Sequence, residues 1–431
     1  MIKDRVSAIN KKSVISVEPS IPRTASLSLR QIIPLYIGSV LGSGILLLPG
    51  LTADSAGPAS LLAWTLMSIL AIPMALSMGY LSVKYPHAGG VSYFVTKAFN
   101  KEIGMLVGWF FLLSAIIAVP IIALTGAGYV SSAFGIGDTG RYVITAIILT
   151  FAVITNFLGM RLTGKVQMTV VVSTISILIL AVAGSMPSID RTNFLPFMPH
   201  GVMSVGHSAT LIFWCFLGWE AISHVTEEFE NPKRDVIRGT IISSVIISVL
   251  YLATAYAVVG THSYGPGISE ISLIFLISNS FGTFGMIIAG VVTLFITTAP
   301  AIAYTGAAGR LAYSISKEGY APKSFSLLHS QFFTPVGGLI FMYLCFIIIL
   351  LVYMSGVIPL AVLIQIPNTT FILTYFAGCA AGLILLRDNW AGMLVSGISL
   401  ILTGLIFCFS GEAIVWPLFL FIIWIIFLKY R

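Results

Sequence analysis

Two glycines flank a serine in the middle of the first long apolar segment, where Gly42, Ser43 and Gly44 follow Val40. Glycine destabilises a helix interior because it loses the most backbone freedom on folding. A helix unwound here would present backbone N–H groups and the positive end of a helix dipole, which bind an anion such as a carboxylate. The alternative is close helix packing, since small residues let two membrane helices approach.

A carboxylate interrupts the sixth apolar segment, in which Gly218 lies near the middle and Glu220 follows it by two residues. An ionised carboxylate is unfavourable inside a membrane, so such a group is protonated, paired or turned toward water. Glu220 is therefore a candidate proton-coupling group. A structural hydrogen bond to a neighbouring helix is the alternative.

The remaining motifs do not indicate an enzyme or a metal site. The sequence between Gly135 and Gly140 fits the pattern G-x-G-x-x-G, but it lies in a loop between two apolar segments rather than between a strand and a helix. No H-E-x-x-H or G-x-S-x-G motif is present, and the six histidines are scattered. Thr297 and Thr298 could offer hydroxyls to sodium, although threonines in membrane helices more often bond to their own backbone. We expect no cofactor and no metal.

The composition is that of a polytopic membrane protein, because 58% of the 431 residues are hydrophobic and only 9% are charged. A crossing helix needs about 20 mainly apolar residues. Twelve segments meet this requirement: 31–51, 58–83, 104–133, 141–159, 165–186, 204–224, 240–260, 284–308, 335–354, 358–386, 392–410 and 412–428.

The Lys and Arg residues predict the orientation. With twelve spans and the N-terminus inside, 20 of the 22 lie on the cytoplasmic side, and Arg141 and Arg191 are the exceptions. This distribution follows the positive-inside rule and explains the net charge of +7 without a nucleic-acid partner. We therefore expect a multi-pass protein of the cell membrane with both termini in the cytoplasm. Residues 1–30 would be a cytoplasmic tail, and 31–431 a single transmembrane domain.

The interruptions fall in the first and sixth segments, which are equivalent positions of two five-helix halves. Paired interruptions of this kind indicate an inverted repeat with a binding site between the halves. We therefore expect an all-α fold with a five-plus-five inverted repeat, broken helices one and six, and two additional C-terminal helices. The first repeat would span 31–186, the second 204–386, and the additional helices 392–428.

Four motifs resemble the amino acid–polyamine–organocation (APC) transporter superfamily. They are Gly42-Ser-Gly-Ile-Leu with Pro49, Tyr85-Pro-x-Ala-Gly-Gly-Val, Phe213-Trp-Cys-Phe-Leu-Gly-Trp-Glu, and Glu227-Glu-Phe-x-Asn-Pro-Lys-Arg-Asp. The resemblance extends from about residue 28 to 428. The third and fourth motifs, with the turn Leu386-Arg387-Asp388, are most similar to bacterial exporters of methionine and branched-chain amino acids.

The resemblance implies which residues bind substrate. The N–H groups of Gly42, Ser43 and Gly44 would bind the substrate carboxylate, and carbonyls of the broken sixth helix would bind its ammonium group. The implied substrate-binding residues are Val40, Gly42, Ser43, Gly44, Val119, Trp214, Cys215, Phe216, Leu217, Tyr304 and Asn368, with Glu220 for coupling. One departure concerns helix five, where some proton-coupled members carry a lysine and this chain has Ser173 and Thr174.

The implied function is secondary transport of neutral apolar amino acids by alternating access, with export as the favoured direction. An uptake permease or exchanger of the same superfamily is the alternative. A channel, the alternative from another class, would need a continuous polar pore, and no segment carries a polar stripe of that kind. The expected partners are the amino-acid substrate and the lipid bilayer, with protons as the candidate coupling ion. The oligomeric state is not predicted.

Overall fold

The structure is a computed structural model that describes residues 28–86, 90–159, 164–219, 229–332 and 334–430. Within these residues the chain is helical and forms no β-strand. The α-helices, numbered in chain order, are α1 (Leu29–Val40), α2 (Gly44–Ala56), α3 (Ser60–Lys84), α4 (Gly90–Ala98), α5 (Lys101–Phe134), α6 (Gly137–Phe157), α7 (Gly164–Ser185), α8 (Gly201–Ile212), α9 (Pro232–Gly260), α10 (Ser272–Lys317), α11 (Val336–Met354), α12 (Leu360–Leu385), α13 (Trp390–Cys408) and α14 (Val415–Tyr430).

Ten helical stretches of the described chain are long and apolar enough to cross a membrane, judged by length and composition. One of them, Gly44–Lys84, contains the whole of the predicted span 58–83 and the last part of 31–51, and Gly201–Phe216, which lies mostly within the sixth, is shorter. The predicted all-helical membrane class is therefore confirmed. The number of twelve crossings and the inverted repeat stay predictions.

Helix α5 shows how the sequence sets helix ends. The Asn100 side chain accepts a hydrogen bond from the N–H of Ile103 at 2.8 Å, which caps the first turn. At the other end Gly135 adopts a left-handed conformation (φ 64°) that a side chain rarely takes. The 34 residues between them extend about 50 Å at 1.5 Å per residue, more than one perpendicular crossing needs.

The centre of the bundle lies along α5. Every residue from Ser114 to Tyr129 is buried, where α5 packs against α6, α10 and α12. By contrast, α11 exposes a stripe of large apolar side chains on one face: Ile340, Leu344, Ile348 and Leu351, each more than half exposed. Residues three and four apart share a helix face. Such an apolar face is stable in lipid, so α5 forms the protein core and α11 forms part of its lipid-facing surface.

A partly exposed ion pair joins the end of α3 to the turn after α12. The Lys84 ammonium group donates to the Leu385 carbonyl at 2.7 Å and to the carboxylate of Asp388. This hydrogen bond from Lys84 holds the pKa of Asp388 below its usual range. The pair fixes the relative position of two helix ends on the predicted cytoplasmic side.

Two helical segments lie outside the predicted spans. Helix α4 begins at Gly90, within the Tyr85 motif and between the predicted spans 58–83 and 104–133. Helix α10 begins at Ser272 rather than near 284, and it bends at Gly282, whose φ of 65° interrupts the helical geometry. Both segments are shorter than a membrane crossing, so a search for long apolar stretches misses them.

Candidate functional site

Two helix breaks meet in the interior. Helix α1 ends at Val40 and α2 begins at Gly44, so residues 41–43 leave the helix at the glycines identified in the sequence. Helix α8 ends in a 3₁₀ turn, Phe213–Phe216, and the chain then becomes extended at Leu217. Gly218 has a φ of 115°, which a residue with a side chain rarely adopts.

The glycines of the breaks are required by close contacts. A Cβ atom on Gly44 would lie 2.7 Å from the Cys215 sulfur and 3.0 Å from the Trp214 ring. A Cβ atom on Gly218 would lie 2.2 Å from the carbonyl oxygen of Ser39. Each break therefore packs its glycine directly against the other break. The small-residue explanation and the unwinding explanation of these glycines are both correct.

One hydroxyl group joins the two breaks. The fully buried Tyr251 of α9 donates to the Cys215 carbonyl at 2.9 Å and lies 3.2 Å from the Val40 carbonyl. Carbonyls at the ends of interrupted helices lack intrahelical donors, and burying them unpaired is unfavourable. Tyr251 itself is held between the rings of Trp64 and Phe216, at centroid distances of 5.5 and 5.2 Å.

A narrow cavity lies beside the two breaks. Its walls come from α1, α2 and the turn between them, α5, the 3₁₀ turn after α8 with Leu217, α10 and α12. The lining residues are Gly38, Ser39, Val40, Gly42, Ser43, Gly44, Ala118, Ile122, Trp214, Leu217, Pro300, Tyr304 and Phe371.

Backbone N–H groups supply the polar part of the cavity wall. Those of Gly42, Ser43 and Gly44 form no backbone hydrogen bond with any described residue. They lie at the N-terminus of α2, where orphan donors and the positive end of the helix dipole favour an anion. None of the described lining side chains is charged. This end of the cavity therefore suits a carboxylate.

Three aromatic side chains, Trp214, Tyr304 and Phe371, line the cavity. Phe371 of α12 lies 6.3 Å from Trp214 and 5.8 Å from Phe111, both in edge-to-face geometry. Phe111 in turn stacks on Tyr304 at 6.4 Å. These rings surround an apolar space that suits an uncharged side chain, because a charge placed there would lose its hydration without gaining a partner.

Most of the residues predicted to bind substrate lie together at this cavity. Seven line it: Val40, Gly42, Ser43, Gly44, Trp214, Leu217 and Tyr304. Cys215 packs against Gly44 of the first break, and Phe216 is buried against Tyr251. Val119 is fully buried next to the lining residue Ala118. Glu220 lies outside the described residues.

Asn368 lies away from the main cavity. Its side-chain amide donates to the carbonyl oxygens of Thr210 and Leu211 on α8, the latter at 3.3 Å. It lines a separate, tightly packed crevice together with Ser410. In this structure Asn368 therefore connects α12 to α8 rather than lining the predicted substrate cavity.

Six lining residues were not identified from the sequence: Gly38, Ser39, Ala118, Ile122, Pro300 and Phe371. Ala118 and Ile122 are one turn apart on α5 and are indistinguishable in sequence from the core residues around them. Pro300 does carry a signal, since a proline inside a helix leaves a carbonyl without its donor. The described residues contain no cluster of His, Cys, Asp or Glu that could hold a metal ion.

A bundle of membrane helices that breaks at two places around one buried cavity is the architecture of a secondary transporter. Comparison with known families agrees with this class, since residues 27–428 match the model of the amino acid permease family. The chain belongs to this family, within the APC superfamily of amino-acid transporters, and is not an enzyme.

Three curated relatives cover most of the chain. The uncharacterized amino acid permease YecA of Bacillus subtilis is 35% identical over 89% of this chain and 90% of its own length. The L-methionine/branched-chain amino acid exporter YjeH of Escherichia coli is 30% identical over 86% and 88%. The branched-chain amino acid permease BcaP of Bacillus subtilis is 26% identical over 70% and 69%.

Proposed function

We propose that this protein is a secondary transporter of neutral apolar amino acids, of the methionine and branched-chain type, that works by alternating access in the cell membrane. The observation that supports this most is the cavity, which joins unpaired backbone N–H groups at the start of α2 to an aromatic and aliphatic wall without a charged side chain. The first feature suits a carboxylate and the second an apolar side chain.

The names of two relatives indicate the same substrate class. YjeH is named as an exporter of methionine and branched-chain amino acids, and BcaP as a permease for branched-chain amino acids. Export is our proposed direction because of the motifs shared with the exporters. Uptake is the second candidate, favoured by the similarity to BcaP.

Counterflow in proteoliposomes tests the substrate class. Vesicles loaded with unlabelled methionine should accumulate labelled external methionine, and external leucine, isoleucine or valine should compete with it. Arginine, lysine and glutamate should compete at least about tenfold less, because each leaves a charge unpaired in the apolar part of the cavity. Equal competition by arginine and methionine would show that the proposed pocket is wrong.

The same assay separates a carrier from a channel. Transient uphill accumulation requires that one site face the two sides in turn, and a channel cannot produce it. A Gly44→Leu variant in matched vesicles is the control for leakage, since its side chain would collide with Cys215. Direction is measured in cells loaded with methionine, where expression should speed loss to the medium if the protein exports and slow it if the protein takes up substrate.

A further inference from the structure

A partly buried corner of the bundle joins three helices to the loop that precedes α10. The Arg141 guanidinium group of α6 donates to a Glu270 carboxylate oxygen at 2.7 Å and to the Leu124 carbonyl of α5 at 3.3 Å. It also lies over the ring of Tyr353 at the end of α11, 5.3 Å from the ring centroid. The Tyr353 hydroxyl in turn lies 3.5 Å from the same Glu270 oxygen.

The carboxylate in this corner belongs to a turn that packs on the broken first helix. Glu270 is the central residue of the 3₁₀ turn Ser269–Ile271. A Cβ atom on Gly50 of α2 would lie 2.2 Å from the Ser269 carbonyl oxygen and 2.7 Å from the Ser272 side chain. The turn and α2 are therefore in direct backbone contact, so a movement of α2 away from the turn would break this contact.

The contact lies along the path from the cavity to one end of the bundle. Helix α2 begins at the cavity with Gly44, and every residue from Gly44 to Gly50 is buried. Solvent therefore does not reach α2 between the cavity and the turn. On the other side, the Leu124 carbonyl that accepts from Arg141 is two residues from Ile122, which lines the cavity.

We propose that Arg141 and Glu270 form a latch that holds the cavity closed at this end of the bundle, and that the latch must open for substrate to pass. Through the turn, Glu270 is attached to α2, and through Arg141 it is attached to α5, α6 and α11. Opening this end separates α2 from α5 and so breaks the ion pair. Arg141 thus acts as a positioning residue, through Glu270, on the helix whose N-terminus lines the cavity.

The pair is shielded enough from solvent for its electrostatic attraction to influence whether this end of the bundle is open or closed. The Arg141 side chain is 14% exposed and that of Glu270 31%, so solvent and salt screen the pair less than a surface ion pair. For comparison, Lys101 and Glu318 form an ion pair at the other end of α5, where their side chains are 49% and 47% exposed. Exposed pairs of that kind contribute little.

Accessibility of Cys215 measures the state of this end directly. Cys215 is 1% exposed and lies behind Gly44, so a reagent must pass along α2 to reach it. Cys345, Cys379 and Cys408 are replaced by serine, and a membrane-impermeant maleimide is applied to whole cells from the outside, which the positive-inside rule assigns to the Glu270 end. This readout needs no substrate. It rests on alternating access but stays independent of the proposed substrate class.

Removing the latch should expose the thiol. We expect Glu270→Gln and Arg141→Met each to raise the rate of Cys215 labelling at least about tenfold, a shift in population toward the open state. Tyr353→Phe, a milder change, should raise it about threefold. The exchanged pair Arg141→Glu with Glu270→Arg should bring the rate back to within about threefold of the parent. Lys101→Ala should not raise labelling from this side.

Two results would refute the latch. If Glu270→Gln and Tyr353→Phe are produced at parental levels and both label at the parental rate, the pair has no part in closing this end and the proposal is wrong. If labelling rises in the single variants but the exchanged pair stays as reactive as they are, the loss of packing rather than of the ion pair is responsible, and the latch is again refuted.

Discussion

At the scale of single residues, Gly44 and Gly218 each serve two purposes. Each lies where a helix is interrupted, and each is in contact with the other broken helix at a distance that leaves no room for a side chain. Gly42 differs, since a Cβ atom there would have no atom within 4 Å. The two halves of the glycine motif are therefore not equivalent. Gly44 is required by the contact with Cys215, whereas Gly42 borders open space in the cavity.

The steric requirement at Gly44 gives the first prediction. In Gly44→Ala the new methyl group would lie 2.7 Å from the Cys215 sulfur, so the two breaks must move apart. Because the N–H groups at the start of α2 would shift with them, we expect the counterflow rate to fall to about one tenth or less, an effect of about 1.4 kcal/mol. The rate is measured in proteoliposomes that contain equal amounts of folded protein.

Gly397→Ala is the matched control for that substitution. Gly397 lies in α13, and a Cβ atom there would meet the Leu383 side chain at 3.5 Å, an ordinary contact. We expect its transport rate to stay within about twofold of the parent. A Gly44→Ala protein that transports as well as Gly397→Ala would show that the contact between the breaks can relax without effect.

The sequence identified the site through residues that are exceptional in their segments. Glycines inside a membrane helix and a carboxylate two residues after another glycine are visible in a single sequence, because they conflict with regular helix formation. Ala118, Ile122 and Phe371 conflict with nothing, so only the packing of α5 and α12 around the cavity identifies them. Asn368 illustrates the opposite limit. It was assigned from its position in the resemblance to the superfamily, and in this structure its amide donates to the carbonyls of Thr210 and Leu211.

At the scale of helices, the two breaks act as one unit because Tyr251 of α9 bonds to both. The Val40 and Cys215 carbonyls are the acceptors that the broken helices leave without an intrahelical donor, and one buried hydroxyl serves them together. A movement of α1 relative to the α8 segment changes at least one of these distances. The state of the breaks is thus linked to the position of α9.

Tyr251→Phe tests this linkage. The change keeps the ring packed against Trp64 and Phe216 but leaves two buried carbonyls without this donor. We expect the free energy of unfolding to fall by about 1–3 kcal/mol. Transport at a temperature at which the variant is fully folded should fall by about tenfold, because the breaks lose their common anchor. Thermal unfolding in detergent and counterflow at 25 °C provide the two measurements.

Tyr343→Phe provides a comparison at a helix contact away from the cavity. Its hydroxyl lies 3.0 Å from that of Thr150 between α11 and α6, and Thr150 also donates to the Ala146 carbonyl at 2.7 Å. Its loss leaves Thr150 with a partner, so we expect changes of less than about 1 kcal/mol and about twofold in transport. If the two variants behaved alike, the hydroxyl of Tyr251 would have no special role in joining the breaks.

The helices themselves were predictable to different degrees. Long apolar segments such as 104–133 and 392–410 correspond closely to α5 and α13, because hydropathy alone decides whether a segment enters lipid. Helix α4 and the first turns of α10 are short and lie at the end of the bundle. Their helicity depends on packing against neighbours rather than on apolar length, and a single sequence does not show those neighbours.

At the scale of the whole molecule, the distribution of Lys and Arg predicts the orientation of the protein in the membrane. It thereby predicts that the latch lies on the outer side. Ser188 and Ser324 are both exposed and lie on opposite predicted sides. In a background without the four native cysteines, Ser188→Cys should react with an impermeant maleimide on intact cells. Ser324→Cys should react only after the cells are opened, because the membrane blocks the reagent. The reverse pattern would invert the proposed topology.

The five-plus-five repeat remains a proposal that the paired breaks support. The breaks occur in the first and sixth predicted spans, and both border one cavity, as two halves packed around a common site require. Substrate binding between the halves would favour one relative position over another. Transport then needs a second source of free energy that also distinguishes the two positions.

Glu220 is our candidate for that coupling, on the evidence of its place in the sequence. From the sequence we predict that this carboxylic acid, two residues after Gly218 and within an apolar segment, takes up and releases a proton during the transport cycle. If the protonated and ionised forms favour different access states, a proton gradient biases the cycle by that difference in free energy.

Glu220→Gln keeps the shape of the side chain and removes its titration. We expect the variant to retain methionine exchange within about threefold of the parent. Net flux in proteoliposomes should lose its dependence on an imposed pH gradient between pH 5.5 and 8, a range in which acids with a raised pKa titrate. A parental pH profile in Glu220→Gln would assign this residue a structural role and leave exchange or sodium coupling as the source of the bias.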